Sequence, residues 1–417
     1  NTTAFSVGTT SEINTIKNRS SFATVDQHSS NTMHPYELVN LHKAHSFKSG
    51  STTLTGNGKT IHISDGAFNQ NHDSFAGKTI TMISSTPTVS TTTGDHGTHV
   101  ASTATGVIGA TTHGVAPDAD IAYSYFNNSS GGKSISLNRA EALDSARINN
   151  SAIASNNSWG PCDAVSGPNC TSAYTYNELA TEAASNGRNI REQFAALNGG
   201  TTDAATYITA MDNFQDSGVI VYANSNFSND TDASYFAALP FYFNGTTDSV
   251  DLSDAWISVM YAEFTGTSLS GASTSDFSRE GNPCGNAKEF CLVVDDTSIG
   301  AAGYVDGSGV SQYSVMGGSS MGAPQVSGMI ALLSQAFPSH TPAQLTDRLL
   351  ASANNAWFSP SGNTTFTTHG ASIKHGYNDE WGHGVPDLEA ALSPITANMN
   401  PLSFGFTRPL GSGGSGG

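Results

Sequence analysis

The chain has 417 residues, only 12% of them charged, and 16 Lys and Arg against 34 Asp and Glu leave a formal net charge of -18. That balance excludes a nucleic-acid surface, which needs a basic stripe to neutralise phosphates, and leaves no polybasic segment for an anionic membrane. No run approaches the roughly eighteen apolar residues of a spanning helix, so the expectation is a soluble chain whose acidic field keeps it dispersed and favours cationic substrates.

The start, Asn1-Thr2-Thr3, lacks a charged-then-apolar signal pattern, so the chain reads as a mature or trimmed product. Residues 1–58 are polar, rich in Ser, Thr and Asn, and weakly periodic, which predicts a surface-wrapping segment rather than a separate domain. Beyond them, short apolar runs at 60–64, 121–126, 152–156 and 219–223 alternate with helical stretches at 99–106, 137–149 and 324–337. Such alternation predicts an α/β fold, a mainly parallel sheet with helices on both faces and the active site at the carboxyl ends of its strands. Residues 161–216 exceed what a simple crossover needs, and 224–254 are polar and acidic; both are expected as surface insertions around a cleft. The stretch 396–417 is a tail whose end, 411–417, reads as an engineered flexible linker and carries no fold information.

Four cysteines fall into two close pairs, Cys162 with Cys170 and Cys284 with Cys291, without histidines at metal-ligand spacing. Three pairings are formally open, and two local disulfides in an oxidising compartment are the better reading.

The richest stretch chemically is Gly318-Ser319-Ser320-Met321-Gly322-Ala323-Pro324. It runs directly into a segment where Val326, Met329, Ile330, Leu333 and Phe337 recur at helical spacing. Ser320 therefore sits at a helix start, where the dipole and free backbone N–H groups stabilise negative charge developing beside its hydroxyl. A serine hydroxyl needs a base that is itself oriented by a carboxylate. His96, in Gly94-Asp95-His96-Gly97-Thr98-His99-Val100-Ala101, is the candidate base, and Asp65, ending the run 60–64, is the candidate carboxylate. Asp, His, Ser is one of the chain orders in which this geometry occurs.

Three ordered motifs resemble the subtilase family. The His96 segment resembles its His-Gly-Thr-His-Val-Ala signature, and the Ser320 segment resembles Gly-Thr-Ser-Met-Ala-x-Pro, with Ser319 for Thr and Gly322 for Ala. Ser64-Asp65-Gly66 through His72 resembles Asp-Thr-Gly-Val-Asp-x-x-His, with Gly66-Ala67 where Thr/Ser-Gly is usual. The resemblance implies a three-layer subtilisin-like fold, a peptidase domain over 59–395, and a secreted serine endopeptidase with the triad Asp65, His96 and Ser320. It implies an oxyanion-hole Asn as well. Val219-Ile220-Val221-Tyr222-Ala223-Asn224-Ser225-Asn226 resembles the strand that ends on that residue, with Ser225 for Gly, which selects Asn226 over Asn224. The segment containing Ser158, Trp159 and Gly160 resembles the family's substrate-binding edge, which pairs with an extended peptide. Asp163 resembles an acidic position of kexin-like members that prefer basic residues. Ala237-Ala238-Leu239-Pro240, Cys284 with Cys291, and the run from Trp381 to Leu392 resemble subtilisin-type passenger domains of bacterial autotransporters, implying secretion or a place on a bacterial surface.

The resemblance implies protein or peptide substrates, no required cofactor, and a monomer without a membrane span. Structural calcium is common in the family; the runs at Asn229-Asp230-Thr231-Asp232 and Asp295-Asp296 raise it, but no ligand is assigned and no metal site is named. His99 is expected in helix packing, because the Glu of a zinc protease is missing. Gly266-Thr267-Ser268 imitates the nucleophile motif but lacks both the proline and a following helix. Gly318-Ser319-Ser320-Met321-Gly322 also satisfies the esterase pattern, which would recruit an acid and a base downstream from Asp347, Asp379, Asp387, His369, His375 and His383. The other alternative is a non-catalytic adhesin that keeps the fold for binding.

Overall fold

The computed structural model describes residues 2–395; Asn1 and the expected tail 396–417 with its linker-like end lie outside the described residues. The apolar runs become strands of an eight-stranded sheet. In chain order these are β1 (Thr60–Asp65), β2 (Ile80–Met82), β3 (Asp120–Tyr125), β4 (Ala152–Asn157), β5 (Val219–Ala223), β6 (Trp256–Phe264), β7 (Phe277–Arg279) and β8 (Cys291–Asp295). In space the order is β2-β3-β1-β4-β5-β6, with β7 and β8 both on the far side of β6. Only the β6–β7 pairing is antiparallel. All five residues of β5, and β1 from Ile61 onward, are buried, as strands covered on both faces must be.

The covering helices are α1 (His96–Thr105), α2 (Ile135–Ile148), α3 (Thr201–Gln215) and α4 (Ser319–Ala336). Packing of α1 with α4 and of α2 with α3 supplies the two outer layers. The chain leaves β1 for β2 and β3 on one side, then returns to β4 on the other. The carboxyl ends of β1 and β4 therefore flank a switch in strand order, where such sheets open a crevice. Two helices begin earlier than their apolar periodicity indicates: α1 at His96 rather than 99, and α4 at Ser319 rather than 324. Both first turns are Gly-, Ser- and Thr-rich, so no hydrophobic pattern marks them.

Residues 2–58 do more than wrap the surface. They form four short helices, and Tyr36, Val39, Leu41, Ala44 and Leu54 are fully buried in the common core. The segment looks polar in part because histidines such as His34 and His45 are buried as hydrogen-bonding groups whose charged form burial disfavours. His34 Nε2 donates to Phe22 O at 2.9 Å and His45 Nε2 to Val115 O at 2.8 Å. Burial pushes the His45 pKa down to about 3.

The expected surface insertion 224–254 is also partly core: Ala233, Tyr235, Phe236, Ala237, Ala238 and Leu239 are buried. Its acidic residues hide this because they serve the backbone. Asp230 accepts from Ala173 N at 2.9 Å, and Asp232 from Asn177 N at 2.9 Å and Asn286 N at 2.8 Å. Within 161–216, an exposed hairpin (Cys162–Ser166 with Asn169–Ala173) precedes helices whose last member, α3, belongs to the outer layer. The cysteines pair locally, Cys162 with Cys170 and Cys284 with Cys291.

Candidate active site

Asp65 ends β1 and is buried, whereas the His96 side chain at the start of α1 is 44% exposed. His96 Nδ1 donates to Asp65 Oδ1 at 2.6 Å, and Gly66 N donates to the same oxygen at 2.7 Å. The close seat of α1 on the loop after β1 depends on Gly97: a Cβ there would lie 2.6 Å from Ala67 O and 2.7 Å from Gly66 O. Thr98 completes the seat, its N–H donating to Ala67 O at 3.1 Å and its Oγ1 accepting from Asn69 N at 2.8 Å. Burial alone would lower the His96 pKa; the Asp65 charge and hydrogen bond outweigh it and hold the pKa above the ordinary value. The bond through Nδ1 leaves Nε2 as the face turned to a partner.

Ser320 is the second residue of α4, among the first four N–H groups that have no intrahelical acceptor. Gly318 turns into the helix at φ 137°, and a Cβ there would lie 3.2 Å from the Asn226 amide. Pro324 has no N–H to offer the Ser320 carbonyl four residues earlier. Ser158 Oγ donates there instead at 2.9 Å, while Ser320 Oγ donates to Ser158 O at 3.1 Å. This reciprocal pair joins the end of β4 to the start of α4. It is held from below by Asn156, whose Nδ2 donates to Ser158 Oγ and whose Oδ1 accepts from Ser327 Oγ, both at 2.9 Å.

Asn226 and Asn224 have opposite surroundings. Asn224 is buried and spent: Nδ2 donates to Asn282 O at 3.0 Å and Pro283 O at 2.7 Å, and Oδ1 accepts from Ser258 Oγ at 3.2 Å. Asn226 is exposed, and its Oδ1 accepts from both Ser319 N and Ser319 Oγ at 2.8 Å. Two donors on Oδ1 fix the amide orientation and leave Nδ2 on the side away from Ser319. Ser225 between them takes φ 97°, the conformation for which a glycine would be the easy choice.

Sequence reasoning missed the supporting set of Ser319, Asn156 and Ser327, because polar residues inside a strand or helix carry no pattern that announces a partner. It also left Gly322 unexplained. The buried Asp296 carboxyl occupies the space a Gly322 Cβ would need. Burial keeps the Asp296 pKa well above the carboxylate range.

Among the other expected site residues, Trp159 is half-buried beside Ser158 and stacks on Phe126 with ring centroids 5.4 Å apart. Gly160 is exposed, and Asp163 stands on the exposed hairpin rather than at the floor of a pocket. Its pKa is raised by what burial it has and by the neighbouring Glu178, Asp230 and Glu182. His99 is buried and bonded to Ile299 O at 3.0 Å, in keeping with a packing role. His62, buried in mid-sheet, contacts both Ser124 Oγ and Ser155 Oγ, but burial pushes its pKa down to about 3. Of the esterase set, His375 and His383 are buried, joined through Nδ1 at 2.8 Å, and spent through Nε2 on Ala353 O and Glu289 O, both at 2.9 Å. Ser268 lies in a loop followed only by a short 3-10 turn at Thr274–Asp276, not by an α-helix.

A profile described as the subtilase family matches residues 56–384. No curated protein matches the chain in sequence. Among solved structures, the prenylagaramide maturation protease PagA is similar at 19% identity and TM-score 0.51, over 81% of this chain and 94% of that one. Fervidolysin from Fervidobacterium pennivorans, a keratinolytic enzyme related to subtilisin, is similar at 19% identity and TM-score 0.54, over 91% of this chain and 48% of that one. At these identities the two structures speak for the fold.

Proposed function

This chain belongs to the subtilase family and is a serine endopeptidase, and from that premise we propose that Asp65, His96 and Ser320 are its triad, with Asn226 in the oxyanion hole. In this reading His96 Nε2 takes the Ser320 proton as the hydroxyl attacks the scissile carbonyl, and Asp65 stabilises the imidazolium that forms. The tetrahedral oxyanion is met by the Ser320 N–H at the start of α4 and by Asn226 Nδ2. The proton on His96 then passes to the leaving amine, and water repeats the sequence on the acyl-enzyme. The chemistry uses side chains and backbone alone.

The observation that carries the reading is the 2.6 Å bond from His96 Nδ1 to buried Asp65, made by a ring whose other edge stays open. In this reading the Ser320 hydroxyl, which donates to Ser158 O at 3.1 Å, leaves that carbonyl and turns its proton toward Nε2. Ser158, Trp159 and Gly160 are proposed to hold an extended peptide, and two disulfides fit a secreted or cell-surface protein.

The test is fluorophosphonate labelling with peptide-map readout, beside protein-substrate cleavage by wild type and Ser320→Ala. The label is expected on Ser320, and the variant is expected to keep its fold and lose about 10⁶ in turnover, the scale measured for triad loss in a subtilisin. A label elsewhere, or activity above about a thousandth of wild type, moves the nucleophile.

A further inference from the structure

A cavity of about 450 Å³ opens where the Ser158-Trp159-Gly160 segment leads away from Ser320. Phe126, Trp159, Tyr235 and Phe236 give it aromatic walls, and Arg139 from α2 is the one charged side chain in its lining. Arg139 Nε donates to Phe126 O at 2.7 Å, and its guanidinium carbon lies 4.0 Å from the Trp159 ring centroid. These two contacts hold the guanidinium over the indole but engage only one of its five N–H groups. Among the described residues no carboxylate pairs with it, in a chain where 34 Asp and Glu outnumber 16 Lys and Arg. An arginine held over tryptophan through its carbon and Nε, with its fork open, is built to receive a planar anion.

We infer that this cavity is a substrate subsite for an acidic side chain, Glu or Asp, gripped by Nη1 and Nη2 of Arg139. The inference rests on the protease reading above and adds the substrate class. An apolar side chain seated here would strip water from the guanidinium and return nothing, and a Lys or Arg would be repelled. The net charge of -18 opposes an anion at long range, but exposed charges are screened beyond about 8 Å in physiological salt, so the local pair decides. At about 3.3 Å per extended residue, the step from Ser158 to Gly160 puts the acid within about four residues of the scissile bond.

The experiment uses matched peptides carrying Glu, Gln or Lys at each of the four positions on either side of the bond. Cleavage by each enzyme is expressed relative to its own rate on the Gln peptide. Wild type is expected to favour Glu over Gln by about ten- to a hundredfold at one position, as charged hydrogen bonds allow. Arg139→Met should bring that ratio to about one, Arg139→Lys should retain part of it, and Arg139→Glu should turn the preference to Lys. A Glu-to-Gln ratio of one throughout, or a Glu preference that survives Arg139→Met, overturns the subsite. Fluorescence anisotropy of the same peptides on Ser320→Ala separates the two failures. Arg139-dependent tighter binding of Glu peptides to Ser320→Ala, beside a wild type that cleaves nothing, keeps the subsite and sinks the protease reading. Ser320-dependent cleavage without any Glu preference does the reverse.

Discussion

Two histidines in this molecule pair with aspartates and are put to opposite use. His96 bonds one carboxylate through Nδ1, is 44% exposed, and has its other nitrogen open. His28 is 2% exposed in its side chain and spends both nitrogens: Nδ1 on Asp26 Oδ1 at 2.7 Å, Nε2 on Thr297 Oγ1 at 2.6 Å and close to Asp295 Oδ1 at 3.3 Å. The bond to Asp26, with that to Asp295 behind it, raises the His28 pKa to about 10, so it is a fixed cation clamping the N-terminal segment to the end of β8. For His96 burial opposes the charge and hydrogen bond of a single carboxylate, Asp65, and the pKa is raised. A polar group does chemistry when one side is locked and the other is free; locked on both sides, it is structure.

Between the two histidines, the larger expected effect cuts the locked side of His96. Asp65→Asn should lower kcat by about 10⁴-fold, the scale seen when this carboxylate is removed from serine-protease triads. If His96 is the base, as proposed, it must be neutral to act, and with its pKa raised the acid limb of kcat/KM for wild type should have its midpoint above 6.5. In Asp65→Asn only the lowering influence of burial remains, so residual activity should show a midpoint moved downward. His28→Asn should leave kcat per folded molecule within about threefold. Equal losses from both substitutions would erase the distinction between the two histidines.

The same distinction separates Asn226 from Asn224, two residues apart. Asn226→Ala should cost about 10²–10³ in kcat with little change in KM, since its free Nδ2 would bond an oxyanion present only in the transition state. Asn224→Ala strands the Asn282 and Pro283 carbonyls and should instead cost about 2–3 kcal/mol in denaturant unfolding. Kinetics and unfolding of both variants decide it; the opposite assignment of losses would shift the oxyanion donor to Asn224.

The open sides were the legible part. The motifs around Asp65, His96 and Ser320 mark groups whose spacing in the chain reflects geometry at the strand ends, and the parallel sheet followed from short apolar runs alternating with helices. The closed sides were not legible. The Asn156–Ser158–Ser320 chain crosses 171 positions from Asn156 to Ser327, and nothing local in a strand reading Ala-Ile-Ala-Ser-Asn-Asn distinguishes a network member from a solvated residue. Residues 2–58 were read as surface for the same reason. Their buried histidines satisfy carbonyls that lie elsewhere in the chain, such as Val115 O, 70 positions from His45.

Stability against pH gives a smaller effect and probes the closed histidines as a class. His28 has its pKa raised to about 10, so its contribution is complete below the unfolded value of about 6.5 and is lost as pH rises toward 10. Melting temperature should fall between pH 7 and 10, and His28→Asn should melt lower but with a flatter slope over that window. The neutral buried set runs the other way. Burial lowers His45 to about 3, His99 to about 4 and His113 to about 4, so unfolding gains protons and stability should fall from pH 6.5 toward 4. Parallel alkaline slopes for wild type and His28→Asn would mean that His28 is not a buried cation.

Asp163 is the third case, free on every side, and it should do least. It is exposed on the hairpin, accepts no hydrogen bond from any described residue that would aim it, and shares its neighbourhood with Glu178, Asp230 and Glu182. A carboxylate selects a substrate cation only when it is held and shielded from water, because exposed pairs contribute from nothing to about 1 kcal/mol and are screened by salt. Losing one of four neighbouring carboxylates changes the local potential by a fraction. Asp163→Asn should therefore alter the ratio of kcat/KM for matched Arg and Leu peptides by less than about twofold. The same ratio measured at low and high salt should drift in parallel for both enzymes, as a diffuse acidic surface requires. A tenfold fall confined to the Arg peptide would show that substrate binding folds the hairpin over the cleft and turns Asp163 into a held group.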